Sequence, residues 1–186
     1  DNYKHNIDLS NMDQIDKNKD LIKSCDKIVL AHGILGTERF LNYNEKTILH
    51  LIKVNLLSFI RIIEIAIKYN SNVRIAVIGS ESGIKGSFDI SYSLSKAALH
   101  KYIEERKILF PTQQLICIAP SMIVDSGMTL NREDQDNVKK STLSNPKERG
   151  LFSNEIAQMI YHLLFIDKGY TTNTVINING GKFARM

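Results

Sequence analysis

The chain has little of what secreted, membrane-spanning or disulfide-stabilised proteins require. It contains two cysteines among 186 residues, Cys25 and Cys117, which are too few for a disulfide framework. Cys117 lies within an apolar run, so we expect a reducing, cytoplasmic location. The most apolar segment, residues 47–68, is interrupted by charged side chains, and we do not expect it to span a bilayer. Residues 1–20 are polar and charged, unlike a signal peptide.

Charge and histidine content also argue against whole classes of function. The net charge of +4 comes from scattered lysines, and no basic stripe alternates with aromatic residues, so nucleic-acid binding is not indicated. The five histidines form no i, i+4 pair and have no cysteine at ligand spacing, so we expect no metal site. A hydrophobic content of 43% in a chain of this length predicts one soluble domain, spanning residues 1–186.

The most informative stretch is residues 73–119, which read as an apolar run, a loop, a helical pattern and a second apolar run. The apolar runs 73–78 and 114–119 predict two buried strands, and the whole stretch predicts one βαβ unit of a parallel sheet. In such sheets, ligands bind beyond the carboxyl ends of the strands, where Ser80 and Pro120 both fall. We therefore expect a functional site at this edge of the sheet.

The helix of this βαβ unit carries a tyrosine and a lysine, Tyr92 and Lys96, four residues apart. On a helix this spacing places both side chains on one face. An ammonium group near a phenol favours the phenolate and lowers a pKa that is ordinarily near 10, which makes the tyrosine a usable acid or base. The hydroxyl of Ser80 could polarise the same substrate oxygen. Alone, the Y-x-x-x-K pattern is a weak signal, since an ordinary tyrosine with a solvated lysine one turn later gives the same match.

The remaining pattern predicts further strands and helices around this unit. Strands are expected at 6–9, 27–30 and 174–178, and helices at 12–23, 44–69, 92–109 and 153–167. Either Ser10 or Asn11 is expected to cap the first helix. Residues 126–150 are polar with weak periodicity and predict a mobile lid over the substrate.

At this point the sequence resembles the short-chain dehydrogenase/reductase family along almost its whole length. Ser80, Tyr92 and Lys96 stand where that family has its catalytic serine and its Y-x-x-x-K pair, although the tyrosine follows the serine slightly sooner than usual. Asn55, within Val-Asn-Leu of a long apolar helix, resembles the helix asparagine that completes the catalytic tetrad by holding a proton-relay water.

Other segments resemble the cofactor-binding parts of the family. Residues 8–10 resemble the segment after the third strand, whose aspartate contacts the adenine, and residues 30–33 stand in place of N-N-A-G. Residues 119–123 resemble the A-P-G-x-I loop beside the nicotinamide, and 178–181 the closing N-x-D-G-G turn. The cofactor-binding residues that the resemblance implies are Asp8, Leu9, Ala31, Gly33, Tyr92, Lys96, Pro120, Ser121 and Ile123. His32, also in this region, is expected to have a packing or backbone role.

The resemblance implies a three-layer Rossmann-like doubly wound parallel sheet and an oxidoreductase that uses NAD or NADP. It would interconvert a carbonyl and a hydroxyl of a small molecule by hydride transfer. Tyr92 would be the general acid or base, Lys96 would lower its pKa and hold the nicotinamide ribose, Ser80 would orient the substrate oxygen, and Asn55 would support the proton relay. The long helices would form the interface of a homodimer or homotetramer.

One departure from the family favours a second hypothesis. The family begins with a strand and a glycine-rich T-G-x-x-x-G-x-G turn that holds the pyrophosphate, and no such turn precedes Asp8. We therefore expect the fold to be N-terminally incomplete by about 50 to 60 residues, the length of two βα steps. We also expect the chain alone to bind a dinucleotide poorly. The alternative is thus a scaffold or interaction protein that keeps the fold without turnover.

Overall fold

The computed structural model of the chain describes residues 5–36 and 44–183. The strands are β1 (Lys27–Leu30), β2 (Arg74–Ile78), β3 (Gln114–Pro120) and β4 (Thr174–Ile178). The helices are α1 (Met12–Lys17), α2 (Lys19–Ser24), α3 (Glu45–Ile52), α4 (Ser58–Tyr69), α5 (Ser82–Lys85), α6 (Ile90–Glu105), α7 (Gly127–Leu130), α8 (Gln135–Leu143) and α9 (Ser153–Tyr161). Two π-helical segments, Lys53–Leu57 and His162–Ile166, join α3 to α4 and extend α9.

The four strands form one parallel sheet in the order β1-β2-β3-β4. The central strands are covered on both faces, which is why β2 and β3 consist almost entirely of apolar residues. Alternate residues point to opposite faces. Val77 and Cys117, which pair in register, belong to the core shared with α1, α4 and α6, whereas Ala76 and Ile116 face α9. The expected three-layer α/β fold with a parallel sheet is confirmed.

The helix that carries Tyr92 begins slightly earlier than expected, at Ile90. Its first turn is capped by Asp89, whose carboxylate accepts a hydrogen bond from the Tyr92 amide at 2.9 Å. Aspartate at this position satisfies an otherwise unpaired amide and complements the positive end of the helix dipole. The helix ends at Glu105 and not at 109, because Arg106 adopts an extended conformation.

The strand expected at 6–9 is wrong, since these residues form no regular structure and then a turn. In the doubly wound strand order 3-2-1-4-5-6, the third strand is separated from the fourth by two others. Within the described residues it therefore has no neighbouring strand with which to pair. Its polar groups are satisfied locally: the Asp8 amide donates to Gln14 at 2.8 Å, and the amide and hydroxyl of Ser10 donate to the Asp8 carboxylate.

The helix expected at 12–23 is interrupted at Asn18 and forms α1 and α2. The Asn18 side chain donates to the Gln14 carbonyl at 2.9 Å, and such local side-chain bonds compete with a continuous helix. Asn11 caps α1, as one of the two expected residues, through the amides of Asp13 and Gln14. In the described part of the chain, every helix is too short or too polar to cross a membrane.

Gln113 is a buried polar residue that connects two parts of the fold. Its side-chain oxygen accepts from the amides of Leu109 and Phe110 at 2.8 and 3.2 Å. Its side-chain nitrogen donates to the carbonyls of Ile67 and Asn70 at 2.7 and 2.8 Å. Gln113 is 1% exposed, so its own side-chain atoms in these four hydrogen bonds are shielded from water. This glutamine thus joins the end of α4 to the loop that leads into β3.

We predict that Gln113→Leu lowers the free energy of unfolding by about 2 to 4 kcal/mol, because buried backbone groups lose their partners. Chemical denaturation followed by circular dichroism measures this change. Gln158→Leu, at an exposed position on α9, is the matched control and should change the free energy by less than about 0.5 kcal/mol. Equal effects of the two substitutions would contradict the structural role given to Gln113.

Candidate active site

The loop after β2 holds Ser80 at the carboxyl edge of the sheet. On either side of this serine, the amide of Gly79 donates to the Ile118 carbonyl at 2.7 Å and the amide of Glu81 donates to the Pro120 carbonyl at 2.8 Å. The loop therefore continues the pairing between β2 and β3 for a short distance beyond the strands. The Ser80 hydroxyl accepts from the Ser82 amide at 3.1 Å, which fixes its direction at the start of α5.

Tyr92 lies in the first turn of α6 and is 8% exposed. The Ser80 side chain is close enough to influence the pKa of the Tyr92 phenol, so the structure brings together two of the residues that the sequence singled out. The cap of this helix also positions the loop after β1, because the second carboxylate oxygen of Asp89 accepts from the Gly36 amide at 2.6 Å. The start of α6 and the loop after β1 are thus held to one another by the Asp89 carboxylate.

The pKa of the Tyr92 phenol differs from the expectation. Burial raises the pKa above its ordinary value, the polar side chain of Ser80 opposes this, and the negative charge of Asp89 adds to the increase. The expected lowering by Lys96 is therefore not what this structure produces. The Lys96 ammonium lies 5.8 Å from the centre of the Tyr92 ring, because it is directed toward the sheet.

Lys96 is almost fully enclosed, at 2% exposure. Its ammonium donates to the Ile78 carbonyl at 2.9 Å and lies 4.9 Å from the centre of the Phe59 ring. Burial lowers the pKa of Lys96 to about 8, since a cation is costly in a medium of low dielectric constant. At neutral pH the group is still mostly a cation.

Asn55 lies in the π-helical segment between α3 and α4 and is fully buried. Its side chain makes two hydrogen bonds with the backbone of Ile34, accepting from the amide at 2.9 Å and donating to the carbonyl at 2.8 Å. A methyl group added at Gly33 would lie 3.4 Å from the Asn55 side-chain oxygen and 3.8 Å from the Lys96 ammonium. Asn55, Gly33 and Lys96 are therefore neighbours, as a shared site requires.

His32 has a packing role, as the sequence suggested. Its Nε2 is 2.8 Å from the Ser58 hydroxyl, and its ring stacks on Phe59 with the ring centres 3.9 Å apart. Burial, assisted by the positive charge of Lys96, lowers the pKa of His32 to about 4. The His32 imidazole is thus uncharged at ordinary pH and has a packing role next to the site.

The residues predicted to hold a cofactor are divided by the structure into two groups. The first group follows the strands and lies at the carboxyl edge, since all four strands are parallel. It consists of exposed Ala31 after β1, Pro120 at the end of β3, and Ser121, whose amide donates to the Ile178 carbonyl at 2.8 Å. Ile123 bridges to Leu151 nearby. A second group consists of Asp8 and Leu9 in the turn before α1. Asp8 bonds to Ser10 and Gln14, and Leu9 packs against the core.

The predicted lid, residues 126–150, contains α7 and α8. Its end is fixed to the closing turn of the chain, because the Asn145 side chain donates to the Asn179 carbonyl at 3.1 Å. A cavity of about 170 Å³ lies between this end and the sheet edge, with Ser121 and Ile178 in its wall. The mobility of the lid stays a prediction.

Three further polar residues near Ser80 were not recognised from the sequence. Asp89 immediately precedes the helical pattern, which is an N-cap signal that could have been used. Glu81 is buried and pairs with Lys85 at 2.7 Å, and the i, i+4 spacing of this pair was visible. His100 accepts a hydrogen bond from the Ser80 amide at 3.3 Å. No local pattern predicts that contact, because it depends on how α6 packs against the loop.

Comparison with solved structures gives consistent matches to this fold. A short chain dehydrogenase family protein from Francisella tularensis matches with a TM-score of 0.85 and 22% identity, over 97% of this chain and 81% of the other. The ligand-free aldohexose dehydrogenase of Thermoplasma acidophilum gives 0.85 and 20%, over 100% and 80%. A glucose/ribitol dehydrogenase of the short-chain dehydrogenase/reductase type from Brucella melitensis gives 0.83 and 21%, over 94% and 73%. At these identities, the likeness shows the fold alone.

Sequence comparison identifies the family. No curated protein sequence matches the chain, but the family model described as short chain dehydrogenase matches residues 6–137. This match covers well over half of the chain, and it includes Asn55, Ser80, Tyr92 and Lys96. The chain therefore belongs to the short chain dehydrogenase family, whose members are oxidoreductases.

Proposed function

We propose that this protein is an NAD(P)-dependent oxidoreductase that interconverts a carbonyl and a hydroxyl group of a small molecule. The observation that carries the proposal is the proximity of the Ser80 and Tyr92 side chains at the carboxyl edge of the sheet, with Lys96 one helical turn further. Paired hydroxyls at this position suit binding of one substrate oxygen and transfer of a proton to it. Family membership supports the same reaction class.

The residues present fit the nicotinamide end of a dinucleotide. Gly33 has no side chain between its backbone and the Lys96 ammonium, from which a ribose hydroxyl could accept a hydrogen bond, and Ser121 and Ile123 border the next part of the edge. Asp8 would contact the adenine at the other end. The bound dinucleotide would supply or accept the hydride.

The protein's own groups would handle the proton. Burial keeps the Tyr92 phenol protonated at neutral pH, which suits donation to a substrate oxygen during reduction; the reverse transfer would accompany oxidation. Ser80 would hold the same oxygen, and Asn55 would support the relay from its place beside Lys96. The buried site also keeps bulk water away from the reacting atoms, which strengthens these electrostatic interactions.

The long helices also support the proposal of a homodimer or homotetramer. Leu57, the last residue of the π-helical segment before α4, and Leu94, on α6, are 42% and 63% exposed. Large apolar side chains at the surface of neighbouring helices are suited to an interface between subunits. A cytoplasmic location is proposed together with this assembly.

We predict weak but measurable binding of NADH or NADPH by the 186-residue chain, because the described residues can hold the two ends of the dinucleotide. Isothermal titration calorimetry with each dinucleotide tests this. Binding accompanied by turnover of an aldohexose such as glucose, or of ribitol, the compounds named for two similar structures, would support the oxidoreductase. No heat with either dinucleotide would favour the scaffold hypothesis for this chain.

Tyr92→Phe is expected to lower kcat by about 10² to 10⁴ in the active protein, since it removes the proton donor. Dinucleotide affinity should change little, because the ring remains in place. Steady-state assays of kcat, with calorimetry for binding, measure both effects. Tyr161→Phe, at an exposed position on α9, is the control. Undiminished turnover by Tyr92→Phe would refute the proposed mechanism.

Lys96→Met is expected to abolish turnover and to alter the pH dependence of stability. The folded chain releases the Lys96 proton near pH 8, whereas the unfolded chain keeps it to about pH 10.5. The unfolded state therefore binds more protons in this window, and wild-type stability must rise with pH. Relative to Lys96→Met, we expect a gain on the order of 1 to 2 kcal/mol between pH 7 and pH 9.5.

Denaturation curves at both pH values measure this gain. Lys68→Met, at an exposed position on α4, is the matched control and should follow the wild type. Parallel pH dependence in the wild type and Lys96→Met would show that the buried ammonium is not titrated as the structure implies.

A further inference from the structure

A buried histidine outside the expected tetrad contacts the serine loop. His100 lies one turn after Lys96 on α6 and is 6% exposed. Its Nε2 accepts a hydrogen bond from the backbone amide of Ser80 at 3.3 Å. The helix that carries Tyr92 and Lys96 therefore also holds the backbone of Ser80.

Two glycines, Gly79 and Gly83, leave room for this ring on both sides of Ser80. A methyl group added at Gly79 would lie 2.3 Å from the His100 Nε2 and 2.6 Å from the Cys117 sulfur. One added at Gly83 would lie 2.7 Å from the His100 Cε1. Neither glycine has a positive φ, so it is the space taken by the imidazole, and not the backbone conformation, that disfavours a side chain at these positions.

The hydrogen bond requires a particular form of the imidazole. An Nε2 that accepts must carry no proton, so the ring is neutral and its proton lies on Nδ1. Burial lowers the pKa of His100 to about 4, and the nearby positive charge of Lys96 acts in the same direction. The accepting form is therefore the stable one at neutral pH.

We propose that His100 is a positioning residue for Ser80: it holds the serine amide, and thereby the position of the serine relative to Tyr92, from the same helix that carries Tyr92 and Lys96. Its effect on turnover rests on the proposed function, but the contact itself does not. Because one helix carries Tyr92, Lys96 and His100, the hydrogen bond to His100 fixes the Ser80 backbone relative to the phenol. A residue that merely filled this space would need no acceptor.

Two substitutions distinguish the effect of the hydrogen-bond acceptor of His100 from the effect of the volume of its ring. His100→Gln retains a side-chain oxygen that can reach the position of Nε2, whereas His100→Leu fills a similar volume without an acceptor. His162→Leu, at an exposed position after α9, is the control for loss of a histidine. Thermal unfolding of all three variants establishes which are folded.

The direct readout is amide hydrogen exchange of Ser80 by NMR, which requires no activity. We expect Ser80 exchange about five- to tenfold faster in His100→Leu, as loss of one net hydrogen bond implies, and near wild-type exchange in His100→Gln and His162→Leu. In the active protein, kcat should fall by a similar factor in His100→Leu with KM for the dinucleotide unchanged, and His100→Gln should restore it.

Equal rates of Ser80 amide exchange in His100→Leu and the wild type would overturn the proposal in favour of a packing role alone. Equally accelerated exchange in His100→Leu and His100→Gln would have the same consequence. If His100→Leu does not fold, imidazole nitrogen shifts of the wild type at pH 7 decide. A proton on Nδ1 and a free Nε2 are expected, and a proton on Nε2 would refute the role. A wild type without turnover would count against the proposed function only, since the exchange and imidazole measurements are independent of it.

Discussion

The hydrogen bond from the Lys96 ammonium to the Ile78 carbonyl, at 2.9 Å, is the constraint around which the site is arranged. A buried cation is costly, and the groups around it are those that tolerate it: a backbone carbonyl, the face of Phe59 and uncharged rings. Burial and the same positive charge lower the pKa values of His32 and His100 to about 4. The Lys96 ammonium therefore lies near two neutral imidazoles, those of His32 and His100.

The geometry of the site depends on buried polar side chains that form hydrogen bonds with the backbone of neighbouring loops. Asn55 binds both polar groups of Ile34, and Asp89 binds Gly36 and the first turn of α6. The loop after β1 is thus held from two different helices. Side chains with satisfied hydrogen bonds in a medium of low dielectric constant specify one arrangement. This arrangement also buries Lys96, which is costly. Removal of this lysine should favour the folded state at low pH and abolish the chemistry, a conflict between stability and activity that is seen in many enzymes.

Much of the fold and part of the site could be predicted from the sequence. The strand at 114–119 was recognisable because buried parallel strands are continuous apolar runs. The meeting of Ser80 with Tyr92 followed from their places on one βαβ unit. The strand at 6–9 was wrong because strand formation requires a neighbour, which a local pattern does not reveal. The pKa of Tyr92 shifts upward and not downward, because burial outweighs a lysine that is directed away from it.

The sequence by itself determined the order of strands and helices, the parallel α/β fold and the residue types available for chemistry, since periodicity and spacing are local properties. Only the tertiary structure decided which of those groups meet. The π-helical segment that carries Asn55, the contact of His100 with the Ser80 amide and the enclosure of Lys96 all depend on how α4 and α6 pack against the sheet. The protonation states of these side chains are also decided by the tertiary structure, because the pKa of a side chain depends on the burial and charges that packing creates around it.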